Sequence, residues 1–157
     1  MRRLLKRLLA VVIVAPSLAH AACLALTSHP DGLSLAELAL PADRTGFMIT
    51  YVHSVTMTPV VDVYRVAADE LVETEMRFVE HGPGLPTEAD AGASFMRRDG
   101  MYIVTMDRHF PTIVMRVHRD QSPRLVVGMA PVDLAQWGNR ALALGVVAGP
   151  CRGSGAS

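Results

Sequence analysis

Between Leu71 and Phe78 the chain reads LVETEMRF, where Val72, Thr74, Met76 and Phe78 alternate with Glu73, Glu75 and Arg77. A period of two belongs to an extended strand whose side chains point alternately to a dry and a wet face. Similar short apolar runs recur as CLALTS, LSLAELAL, GFMITYVHS, VVDVYRVA, MYIVTM, TIVMRV, RLVVGM and RALALGVV. Turn material such as HPDG, PADRTG, RRDG and DQSPR separates them. Helical character is confined to a single turn over Val132 to Trp137, with Gly138 as its stop. About nine short strands without βα alternation predict an all-β protein, either an antiparallel β-sandwich or a partly closed β-barrel.

Residues 1–21 follow another pattern. Arg2, Arg3, Lys6 and Arg7 precede an apolar run from Leu8 to Val14, followed by Pro16 and the small-residue signature Ala19-His20-Ala21. This is the layout of a secretory signal peptide, and its apolar run is too short for an ordinary membrane-spanning helix. Cleavage after Ala21 or Ala22 is expected, which makes the mature protein periplasmic. Tethering through a lipidated Cys23 or an uncleaved signal stays as the alternative, although His20 stands where a lipidation site wants a bulky aliphatic residue.

Residues 22–157 then form a single β-domain with a flexible tail, GPCRGSGAS. The whole chain balances 15 basic against 15 acidic residues. Four of the basic residues lie in the signal, so 15 less 4 leaves 11 against 15, a mature net charge of −4. With no basic stripe, a nucleic-acid partner is not expected. Cys23 and Cys151 sit at opposite ends of the mature chain, and an even pair in an exported protein predicts a disulfide tying the first strand to the last. The rival is a lipid on Cys23 with Cys151 left free.

Two segments carry candidate chemistry. YVHSVTMTPVVDVY, residues 51–64, places His53, Ser54, Thr58 and Asp62 around a break between two runs. The interval from Phe78 to Met101 shows no convincing strand, and its HGPGLP segment combines glycines of unusual φ with prolines of fixed φ into a stiff loop. Together with the signal peptide and the MYIVTM run, the motif Tyr51-x-His53-Ser54-Val55-x-x-Thr58-Pro59-Val60 with Asp62 after it, and Gly84-Leu85-Pro86, resembles domain-of-unknown-function family 1850. The resemblance covers nearly the whole mature chain, with Asp62 standing where glutamate is more usual. It implies a small exported bacterial protein, often encoded beside TRAP-type transporters of the TAXI class. The implied partner is a TRAP-TAXI permease or its solute-binding protein.

Catalysis is the weaker expectation. Neighbouring residues on a strand point to opposite faces, so His53 is badly placed as a base for Ser54, and no Gly-x-Ser-x-Gly elbow is present. The mature histidines His29, His53, His81, His109 and His118 lack zinc-ligand spacing; a metal site from His53, His81 and Asp62 converging across strands is a minor possibility. No cofactor and no catalytic residue is therefore assigned. The leading function is that of a non-enzymatic accessory protein of the transport system. The alternative is a small-molecule binding domain, in which His53, Ser54, Thr58, Asp62, Gly84 and Pro86 form a ligand site for a small organic anion.

Overall fold

The computed structural model describes residues 22–40, 46–149 and 151. The signal segment expected over 1–21, the first five residues of the PADRTG turn at 41–45, and residues 150 and 152–157 of the tail lie outside the described residues. Eleven strands are present among those described: β1 (Ala22–His29), β2 (Ser34–Ala39), β3 (Gly46–Val52), β4 (Pro59–Ala67), β5 (Glu70–Phe78), β6 (Phe95–Arg98), β7 (Met101–Phe110), β8 (Thr112–Val117), β9 (Arg124–Val127), β10 (Ala130–Asp133) and β11 (Arg140–Ala148). One antiparallel sheet has the order β2-β1-β11-β8, and a second has the order β10-β9-β3-β4-β5-β7-β6. The two do not close on each other, which selects the sandwich over the barrel.

Each of the nine apolar runs forms a strand. The additional strands, β6 and β10, are four residues each and lie at the two edges of the larger sheet. FMRR falls inside the interval read as strandless, and APVD contains Pro131, which an edge strand tolerates. The expected helical turn is a 3-10 turn over Leu134–Trp137. Asp133 Oδ1 caps it by accepting from Ala135 N–H at 2.9 Å, and Gly138 ends it.

The period-two reading of β5 fails at one point. Val63 pairs with Glu75 and Tyr64 with Glu73, so Thr74 is an extra residue and the strand changes phase there. Glu73, read as wet-facing, is consequently buried at 5% exposure. The bulge puts a carboxylate on the same side as Leu71, Met76 and Phe78.

Between the sheets, Leu24, Leu26, Leu142, Leu144 and Val117 from the smaller sheet meet Phe47, Ile49, Leu71 and Leu125 from the larger one. A second cluster, Val60, Met76, Phe78, Val104 and Met106, is completed by Leu85 from the long loop. Burying a leucine of that size contributes about 1.5–3 kcal/mol, enough to dock the loop on the sheet.

Cys23 and Cys151 are bonded, with their Cα atoms 5.4 Å apart. The bond joins the start of β1 to the chain just beyond β11, two strands already paired from Ala22 to His29. Because the bond closes a loop with a sequence separation of 128 in the unfolded chain, replacing both cysteines by serine is expected to cost about 4 kcal/mol, toward the upper end for a native bridge. Urea unfolding of the double variant checks this value.

Candidate functional site

The β3–β4 connection is a tight loop organised by one imidazole. His53 N–H donates to Thr58 O, and His53 O accepts from Met57 N–H, both at 2.9 Å. The ring Nδ1 accepts from Val55 N–H at 3.3 Å and from Thr56 N–H at 3.2 Å. A nitrogen that accepts twice carries no proton, so the hydrogen resides on Nε2, which donates to Pro83 O at 3.1 Å. Both ring nitrogens are thus engaged within the chain, and His53 is 6% exposed. The ring fastens the hairpin to the HGPGLP loop.

This contact is close. A Cβ on Gly82 would lie 2.7 Å from His53 Cε1 and 2.9 Å from Thr56 Cγ2. Gly82→Ala is therefore expected to cost about 1–2 kcal/mol through overpacking. Thermal unfolding reads the loss, which reports overpacking and not backbone strain because Gly82 is not among the glycines of positive φ.

The structure brings part of the expected ligand set together. His53 and Thr58 share the loop pairing, and Thr56 Oγ1 and Thr58 Oγ1 bond each other at 2.9 Å. Gly84 is exposed at φ 86°, Pro86 is half-buried, and Leu85 N–H donates to Gly82 O at 3.1 Å. Ser54 is exposed at the hairpin end. The hydroxyls and amides read as ligand donors are in large part bonded to one another.

The end of the hairpin is apolar and strained. Val55 is 65% and Met57 66% exposed, and Met57 holds φ 57°. The other described non-glycine residues with positive φ are Ala68, Asp99 and Ser122, so Met57 is the large apolar one among them. Glycine or asparagine would occupy this backbone well at lower cost.

Asp62 stands apart from this loop. It lies further along β4 opposite Ile49, in a cavity of about 210 Å³ between the two sheets, whose lining includes Ile49, Tyr51, Tyr64, Ile113 and Met115. Its exposure is 8%, and its Oδ1 has no hydrogen-bond partner. Burial, with the charge of Glu73 second, pushes the Asp62 carboxyl up to about 7. Glu73 is also raised by burial, against a lowering by Arg108. The Tyr51 and Tyr64 phenols are raised by burial first and by Asp62 and Glu73 next.

The remaining histidines go elsewhere. His81 packs with Phe78, Phe95 and Tyr102, its ring centroid 4.3 Å from that of Tyr102 and 5.9 Å from that of Phe95. With His53 bound to Pro83 and Asp62 in the cavity, the His53, His81 and Asp62 set does not converge, and no group of three His, Cys, Asp or Glu able to hold a metal occurs among the described residues. His109 is exposed, with Nδ1 2.7 Å from Glu70 Oε2, and Glu70 raises its pKa.

Compared with known proteins, residues 47–134 match the family model described as a domain of unknown function, DUF1850. The chain belongs to that family. The DUF1850 match begins in β3 and ends at the 3-10 turn, so it takes in the hairpin, the clasped loop and Asp62, while β1, β2 and β11 lie outside it. No curated protein and no solved structure matches. Within the DUF1850 region, the sequence singled out His53 and Asp62, gave Tyr51 and Val55 only as part of the family motif, and missed Met57, Tyr64 and Glu73. Tyr64 could have been found by stepping two residues along the strand from Asp62. Glu73 could not, because the bulge at Thr74 leaves no mark in the alternation.

Proposed function

We propose that the protein is an exported accessory component of a TRAP-type (TAXI) organic-acid transport system that acts by contact and not by catalysis. The β3–β4 hairpin end is its contact surface, presented to the permease or its solute-binding protein. The observation that carries this reading is Met57, an apolar side chain 66% exposed on a backbone held at φ 57°. Strain of this kind costs about 1–3 kcal/mol and persists where the surroundings impose it, which makes it a mark of functional positions. The His53 clasp supplies that constraint, and a preorganised apolar knob loses little entropy when it docks. The same clasp argues against base catalysis by His53, since neither ring nitrogen is free to take a proton from a substrate. The resemblance to proteins encoded beside TAXI transporters supplies the partner class.

The test is association of the purified chain with the solute-binding protein and with the detergent-solubilised permease. Binding to one of them is expected, and Val55→Ser with Met57→Gly is expected to weaken it at least about tenfold. Absence of binding to both, or equal binding by the folded variant, refutes the proposal.

A further inference from the structure

The inter-sheet cavity is separate from the hairpin end and has its own chemistry. Its walls include Ile49 from β3 and Ile113, Met115 and Val117 from the edge strand β8, and Asp62, Tyr51, Tyr64 and the neutral Gln121 are among its polar groups. A volume of about 210 Å³ holds about seven waters at about 30 Å³ each, or a compact organic molecule of that size. Asp62 is more than nine-tenths buried, lines this space, and leaves Oδ1 without a partner. A carboxylate oxygen held dry and unbonded is costly unless a donor meets it.

Glu73, the cross-strand partner of Tyr64, adds a second buried carboxyl to the same region. Two buried carboxyls in one region favour a cation over an anion. Arg116 also lines the cavity but is exposed and alternates along β8 with inward-facing Met115 and Val117, so its charge is turned to solvent. A hard metal ion would want more oxygen ligands than these, whereas an alkylammonium matches both the carboxyl and the aliphatic walls.

We propose that this cavity is a binding site for a small organic ammonium ion, its N–H groups donating to Asp62 and its hydrocarbon part lying against Ile49, Ile113 and Met115. The ligand class differs from the organic anion suggested by the loop residues, and the site does not depend on the hairpin contact.

Isothermal titration at pH 8 with n-butylammonium, and with butanoate and 1-butanol as size-matched controls, tests it. Saturable binding of n-butylammonium is expected, with neither control binding. Asp62→Asn keeps the shape and removes the charge, and should weaken the ammonium at least about tenfold. Ile113→Phe keeps the carboxyl and occupies the space, and should weaken it likewise. Absence of n-butylammonium binding, preference for butanoate, or unchanged affinity in Asp62→Asn overturns the proposal.

Discussion

His53→Ala is expected to lose about 4 kcal/mol of folding stability, a fall in Tm on the order of 15 °C. The substitution removes the acceptor for Val55 and Thr56 N–H and the donor for Pro83 O, and it leaves a hole at the close approach to Gly82. A buried polar group left unpaired costs about 1–3 kcal/mol, and the lost ring packing adds a cavity cost. His53→Asn should recover about half the loss. An asparagine oxygen can accept from backbone N–H groups two and three residues on, but the side chain is too short to reach Pro83. Ser54→Ala, at an exposed neighbour with no such bonds, is expected to stay within about 0.5 kcal/mol. Hydrogen exchange adds a local reading: the Val55 and Thr56 amides should lose protection in His53→Ala well before the strands do. A His53→Ala protein with wild-type Tm would show that the ring clasps nothing.

Asp62→Asn is expected to act in the opposite direction, with an effect that grows as pH rises above about 4. A carboxyl pushed up to about 7 in the folded chain, from an ordinary value of 3.8, binds its proton more tightly folded than unfolded. Between those values the folded state holds more protons, so the Asp62 contribution to stability falls as pH rises from about 4 to about 7 and is level beyond. The asparagine does not ionise and escapes that fall. At pH 8 the variant should be about 3–4 kcal/mol more stable than the wild type, while at pH 4 the two should nearly coincide. Glu73, also raised, leaves a weaker decline of the same sign in the variant. Urea unfolding at intervals from pH 4 to pH 8 measures both curves, and parallel curves would remove Asp62 as the cause.

The two effects show how a motif divides once folded. Sequence proximity groups His53 with Asp62, yet the strand carries Asp62 into the inter-sheet space while His53 turns to a carbonyl thirty residues away in sequence. Strands were legible because burial on one face favours a period of two, and all nine apolar runs do form strands. The pattern fails for β6 and β10, where four residues on a sheet edge need no apolar face, and at Thr74, where one bulged residue reverses the phase. The value of His53 to the fold was not legible, since it depends on Pro83 lying within reach of Nε2. The disulfide was legible from an even cysteine pair in a chain expected to be exported, and the pairing of β1 with β11 is what brings the two positions together.

Contact through the hairpin end is tested most directly by uptake of organic acids in cells lacking the protein and complemented with wild type or with the Val55→Ser, Met57→Gly double variant. Glycine relieves the positive φ at position 57, so the variant should be at least as abundant and as thermally stable as the wild type. The expected result is that deletion abolishes uptake and the variant, present at normal level, fails to restore it. Full restoration of uptake by the variant would contradict the proposed contact.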